Sequence, residues 1–275
     1  MWHFVADPHL KHGNIIKYCC RPFMNETEQG LFRMVQKGLV PERELKISQE
    51  STDNMTDAIF DSFNATVHKN DTLVILGDYA WTPRFEREKH IRALRERINC
   101  DNVYLIFGNH DDREACINSK CFVRCYDQYM FVVDGQNIFT SHYPARSWDK
   151  AHRNSWMLYG HVHNLFWYED NGQLSPSRKA ILDEEFSQVL KKHNVENPDL
   201  VADLLDVVAA QYGCDLTLDV GVDNVRKNIP FGTPWSMDDL REYMKQKKIK
   251  HEAREKRLKP FSQRKGAERN LLQNE

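Results

Sequence analysis

Val103-Tyr104-Leu105-Ile106-Phe107, followed at once by Gly108-Asn109-His110-Asp111, decides the fold. The apolar run is too short for a helix and is stopped by a glycine, so it reads as a buried strand that hands over to a polar loop. The same grammar occurs twice upstream. Trp2-His3-Phe4-Val5-Ala6 ends in Asp7-Pro8-His9, where Pro8 has no N–H for a sheet ladder, and Thr72-Leu73-Val74-Ile75-Leu76 ends in Gly77-Asp78. Between these runs, Met55, Ile59, Phe63 and Val67 recur every four residues behind a Ser51-Thr52-Asp53 start, and Ile91, Leu94 and Ile98 share one helical face. Alternation of strand and helix predicts a parallel sheet. Ligands of open α/β sheets gather beyond the carboxyl ends of the strands, which is where the polar residues fall.

Beyond residue 120 the pattern changes. Tyr129 to Val133 and Asn137 to Thr140 flank Asp134-Gly135-Gln136, a hairpin signal, and Trp156 to Tyr159 reads as a further strand, so this half is expected to be antiparallel. Residues 177–212 carry helical periods, with Leu182, Phe186, Val189 and Leu190 on one face and Val201, Leu204, Leu205 and Val208 on another. A strand from Leu216 to Val220 follows them, which makes the helices an insertion at about 175–213. Ser236 and Asp239 form an acidic variant of the capping box for a last helix. The expected organisation is one α/β domain over 1–240 and a basic, charged helix or tail over 241–275.

Composition narrows the function classes. The 275 residues are 41% hydrophobic and 28% charged, which excludes collagen-like and wholly disordered chains. No apolar run approaches the ~18 residues of a membrane span, and the start lacks the basic and apolar regions of a secretory leader, so a cytoplasmic protein is expected. The net charge of -2 hides an asymmetry: residues 241–275 hold 12 Lys and Arg against 5 Asp and Glu, and residues 1–240 hold 26 against 35. The basic end can meet nucleic acid, but its interspersed glutamates suit a solvated helix with i,i+4 pairs, the favoured reading. Seven cysteines, odd in number and without a CxxC pair, support neither a disulfide framework nor a zinc ribbon; Cys116, Cys121 and Cys125 are spaced loosely for structural zinc.

Each strand end or adjoining loop supplies groups able to bind a metal: Asp7 and His9, Asp78, Asn109 with His110, His142, and Gly160-His161-Val162-His163. Singly, such a histidine is more often a core or surface residue than a ligand. As an ordered set, DxH, GD, GNHD, H and GHxH exceed coincidence.

This ordered set resembles the calcineurin-like metallophosphoesterase superfamily over residues 2–163 and again over about 216–240. Asp7-Pro8-His9-Leu10-Lys11-His12-Gly13-Asn14-Ile15-Ile16-Lys17-Tyr18, Arg21-Pro22-Phe23 and Ser141-His142-Tyr143-Pro144 look like the small stand-alone phosphoesterases of bacteria and their phages. Residues 30–50 are longer than that compact form requires, and the helices at 177–212 replace a short link. The resemblance implies an α/β/β/α sandwich with two central mixed β-sheets flanked by helices, plus the helical insertion. It also implies that Asp7, His9 and His163 take one divalent cation, that Asn109, His142 and His161 take another, and that Asp78 bridges them. Imidazole and carboxylate ligands suit Mn, Fe, Zn, Co or Ni, with manganese or iron preferred. Two such cations clamp a phosphate and make a bridging water a hydroxide nucleophile near neutral pH. The family's matching histidine gives His110 the task of supplying a proton to the leaving oxygen, with Asp111 as its orienting partner.

Substrate contacts are expected from His12, Asn14 and Arg146, with Arg21 and Arg113 as further cationic candidates. Trp81, Trp148 and Tyr143 can stack on a nucleobase or pack in the core. The function expected is hydrolysis of phosphate mono- or diesters, with a small phosphate ester or a nucleotide, cyclic or not, as substrate. A nuclease or RNA-end phosphoesterase using the basic tail, and a non-catalytic metal-binding scaffold, are the alternatives. The sequence leaves the oligomeric state open.

Overall fold

A computed structural model describes residues 1–145, 147–163, 216–249 and 252. The helical insertion, Arg146 and nearly all of the chain after residue 249 lie outside the described residues.

The strands are β1 (Trp2–Val5), β2 (Thr72–Leu76), β3 (Asn102–Ile106), β4 (Arg124–Tyr126), β5 (Gln128–Val133), β6 (Gln136–Ser141), β7 (Trp156–Tyr159), β8 (Thr217–Asp219) and β9 (Trp235–Ser236). The helices are α1 (Gly13–Tyr18), α2 (Glu26–Gln36), α3 (Gln49–Thr66), α4 (Arg87–Glu96) and α5 (Arg113–Ser119), with a last helix over 237–249. One sheet runs in the order β4-β3-β2-β1-β9, parallel except for β9, which pairs antiparallel to β1. The other runs β5-β6-β7-β8. Two mixed sheets flanked by helices make the expected sandwich.

Strand alternation fills two cores. Val5, Leu73, Ile75, Val103 and Leu105 face Met55, Ile59 and Phe63 of α3 and Ile91 and Leu94 of α4. Their neighbours Phe4, Val74, Leu76 and Ile106 face the second sheet, meeting Phe131, Ile138, Trp156, Leu158 and Leu218. Each large side chain so buried contributes roughly 1.5–3 kcal/mol, so both faces of the first sheet are held without any disulfide among the described cysteines. The last helix buries Leu240 and Met244 in this second core. The boundary expected at residue 240 therefore lies inside a helix.

Two expectations need correction. The second half is antiparallel only at its hairpin: β5 and β6 pair around Asp134 and Gly135, both with positive φ, but β6 to β7 and β7 to β8 are parallel. The connection between β6 and β7 spans residues 142–155, long enough for the crossover that parallel pairing needs. Helix α3 starts earlier than Ser51, because Ser48 caps it by accepting from the Ser51 N–H. The long 30–50 stretch is tied down by the buried carboxylate of Glu28, which accepts from Asn25 N, Ser48 N and Ser51 Oγ.

The sheets meet at one end. Past β1, Ala6 N–H donates to Val220 O and Val222 N–H donates to Ala6 O, joining the first sheet to the strand end of the second. Asp7 N–H and His9 N–H then donate to Gly77 O and Asp78 O. Three chain segments converge there.

Candidate metal centre

Five of the seven expected ligands, Asp7, His9, Asp78, His161 and His163, sit at positive φ between 47° and 72°. Non-glycine residues adopt this backbone rarely, and such residues concentrate at functional sites where the surroundings enforce them. Here each sharp turn follows a strand end, and those at Asp7, His9 and Asp78 direct a buried side chain inward. The motif glycines leave the room. A Cβ on Gly77 would stand 2.4 Å from His142 Nδ1, and one on Gly108 would stand 2.2 Å from Asp78 Oδ1.

The carboxylates and imidazoles converge. Asp78 Oδ2 lies 3.3 Å from His9 Nε2 and 3.5 Å from His142 Nε2. His142 Nε2 is 3.1 Å from Asn109 Oδ1. Ligand atoms of Asp7, His9 and His163 lie within 4.8 Å of one another, as do those of Asp7, Asp78 and His142. The outer nitrogens set the tautomers. His142 Nδ1 donates to Leu76 O over 2.9 Å and His163 Nδ1 donates to Asp223 Oδ2 over 2.7 Å; carbonyl and carboxylate only accept, so Nδ1 carries a proton in both rings and Nε2 is the nitrogen left for an ion. His9 Nδ1 faces His12 Nδ1 at 3.2 Å and leaves its Nε2 in the cluster.

The electrostatics suit a cation. Burial, then the charges of Asp219, Asp78 and Asp223, raises the Asp7 pKa well above the ordinary carboxylate range. Burial also lowers the pKa of His9, His142 and His161, against Asp78 in the latter two, so their rings are neutral and keep lone pairs at pH 7. Asp7 Oδ1 and His9 Nε2 are buried and have no hydrogen-bond partner. Such orphans are costly unless something is bound between them. Several buried carboxylates faced by neutral imidazoles fit divalent cations, and the N/O donor set fits the harder transition metals.

Other expected residues take different places. His110 is exposed, with its ring 5.2 Å from that of His9 and its backbone N–H donating to Asp78 Oδ1 over 2.8 Å. Asp111 does not orient the His110 ring: its carboxylate accepts from the N–H groups of Asp78, Tyr79 and Gly108, clasping the loops after β2 and β3. Burial raises its pKa to about 6 despite these amides. His12 stands just before α1 with its ring against that of His9, and burial lowers its pKa to about 4; Asn14 is exposed on the first turn of that helix.

Arg21 is no phosphate ligand. Its fully buried guanidinium grips Asp223 through Nε at 2.9 Å and Nη2 at 2.8 Å, and donates to Asp7 O and Pro8 O. Burial tends to raise the pKa of Asp223, but Arg21 and His163 win and hold it far below the usual range. Arg113 pairs with Asp127 and lies over the Phe107 ring. Trp148 donates its indole N–H to Ser155 O, whereas Trp81 and Tyr143 are half exposed at the rim. Cys116, Cys121 and Cys125 form no such cluster; burial raises their pKa, that of Cys125 to about 11.

Sequence reasoning passed over Asp219, Asp223 and Cys19. The Cys19 Sγ lies within 4.8 Å of ligand atoms of His163 and Asp223. The signal for the two aspartates was present, since Asp219-Val220-Gly221-Val222-Asp223 is another strand end followed by a glycine and an acid.

The calcineurin-like phosphoesterase family model matches residues 3–218, and the chain belongs to that family. Over 179 residues it is 27% identical to uncharacterized protein MJ1445 of Methanocaldococcus jannaschii, covering 65% of this chain and 78% of that one. A solved structure, the protein of unknown function AQ665 from Aquifex aeolicus, is 20% identical with a TM-score of 0.39, covering 62% of this chain and 81% of that one. Family and Asp/His groups together define a metal-dependent phosphoesterase. Among the described residues no helix is long and apolar enough to cross a membrane.

Proposed function

We propose that the protein hydrolyses small phosphate mono- or diesters, nucleotides among them, using two divalent cations. Asp7, His9 and His163 would hold one, Asn109, His142 and His161 would hold the other, and Asp78 would be shared by the two. The observation that carries this reading is the buried Asp7–Asp78–Asp219–Asp223 charge with unsatisfied Asp7 Oδ1 and His9 Nε2 at its centre. The position of Asp78 Oδ2 between two imidazole Nε2 atoms supports the bridging role.

When bound, a cation pair supplies charge neutralisation for the phosphate and acidification of water. The chain's own residues do the rest. Asp223 and Leu76 O fix the His163 and His142 rings, so the ester meets a preset frame. The His110 backbone N–H holds Asp78 while its exposed ring, 5.2 Å from that of His9, delivers a proton to the departing oxygen. In the overall step a water oxygen bonds to phosphorus, the bond from phosphorus to the alcohol oxygen breaks, and that oxygen takes the proton.

The test is a panel of mono-, di- and cyclic phosphate esters offered to chelator-stripped protein with Mn, Fe, Mg, Zn, Co or Ni added singly. Manganese or iron should restore turnover at two ions per chain. Stripped protein that takes up ions yet cleaves no ester would leave only a metal-binding scaffold.

A further inference from the structure

Trp81 is 52% exposed, yet it is not a loose surface ring. Its backbone N–H donates to Leu10 O over 2.8 Å, next to the bridge between Leu10 and Ala80 that ties the loop after β2 to the Asp7–His9 loop. The indole lies on the His12 ring with centroids 4.6 Å apart and planes only 15° from parallel. His12 in turn contacts the ligand His9 through facing Nδ1 atoms. One ring therefore separates a fixed indole from the metal cluster.

His110 does not cover the outer face of the indole. Its centroid is 5.7 Å from Trp81 and 5.7 Å from His12. A ring beyond the far face of Trp81 would lie much farther from His12 than from Trp81. His110 thus stands beside the stacked pair, and no other ring among the described residues contacts Trp81. His12 covers one face of the indole and His110 stands at its side, and the residue stays 52% exposed next to the group that serves the departing oxygen.

We propose that this outer face is a stacking subsite for a planar aromatic group carried on the departing alcohol of the ester, such as a nucleobase or an aryl ring. The inference rests on the phosphoesterase reading and adds a substrate class to it. The physical basis is that an immobilised indole offers a flat π surface at little further entropic cost, and stacking tolerates any base because every base has a π face. Position supplies the selectivity: the ring is held relative to the cluster through His12 and Leu10, so an aromatic ester is gripped at both ends. An alkyl ester is gripped at the phosphate alone.

The test compares kcat/KM for adenosine 5′-monophosphate, 4-nitrophenyl phosphate and glycerol phosphate in manganese-loaded full-length protein and its Trp81→Ala and Trp81→Phe variants. Trp81→Ala should lower the aromatic-to-alkyl ratio by roughly 5- to 150-fold, the range of base–aromatic stacking, mainly through KM, and Trp81→Phe should restore most of it. A response to adenosine monophosphate alone identifies a nucleobase; a response to both aromatic esters identifies any aryl ring. Loss of activity towards all three esters in equal proportion would make Trp81 a brace for His12 and overturn the subsite, as would an unaltered ratio. Adenosine binding to the metal-free protein, read by calorimetry, separates the two proposals. Binding that Trp81→Ala abolishes, in a protein that cleaves no ester, would keep the subsite and defeat the hydrolase. Absence of adenosine and nitrophenol binding in an active hydrolase would defeat the subsite alone.

Discussion

Around Asp7 and His9 the cluster is sealed, with both side chains buried and the neighbouring His163 ring clamped by Asp223, which Arg21 clamps in turn. Around His142 it is half open: that ring is buried against Leu76 O, but Asn109 and His161 stand exposed on separate loops. The two halves use the same chemistry with different support. Where outer partners are buried, ligands are held in place before any ion arrives; where they are exposed, the ion has to order them. The first position should therefore bind more tightly and exchange more slowly than the second.

The largest effect belongs to the residue shared by both halves. Asp78→Asn should cost several kcal/mol of transition-state stabilisation, a fall of roughly 10⁴-fold in kcat/KM, with metal analysis showing both ions depleted. Two ions retained would contradict the shared role. Next comes the group that belongs to neither half. His110→Ala should lower kcat by roughly 10²- to 10⁴-fold on an ester with a poor leaving group and far less on an activated one, at full metal content. Equal losses on both esters would remove its proton-donating task.

The sealed half can be loosened by itself. Asp223→Asn or Arg21→Met should weaken one of the two ions by roughly 10- to 100-fold in titration calorimetry while the second step of the isotherm stays in place. If both steps shifted together, the contrast between the halves would be false. The smallest effect is on stability without metal. Asp7→Asn removes an acid whose ionisation the buried cluster opposes, so in chelator at neutral pH its melting temperature should rise by a few degrees, on the order of 1 kcal/mol at roughly 2–4 °C each. A lower value would mean that the cluster is not under electrostatic strain.

Much of this was legible in the sequence, for local reasons. The runs 72–76 and 103–107 and the helical face of Met55, Ile59 and Phe63 each announce themselves within a few residues, and all lie in the core. The strand-end rule picked out Asp7, His9, Asp78, His142 and His163, which meet because the carboxyl ends of the parallel β1 and β2 face those of the parallel β6 and β7 of the other sheet. What was not legible depends on contacts far apart in sequence. The parallel pairing of β7 with β6 is set by the path of 142–155, which a two-residue period does not encode. Arg21 meets Asp223 across two hundred residues, so its charge looked available for substrate when it was already spent inside. Asp111 sits beside His110 in sequence, yet its carboxylate turns to the amides of another loop.

The bridge between Ala6 and Gly221 carries a last consequence. Since it lies one residue from Asp7 and two from Asp219, a slip of either sheet would pull apart these two neighbouring acids before the apolar layers had opened. Loss of ion binding under mild denaturant would then precede loss of circular dichroism, making the centre an early-warning gauge of the whole sandwich.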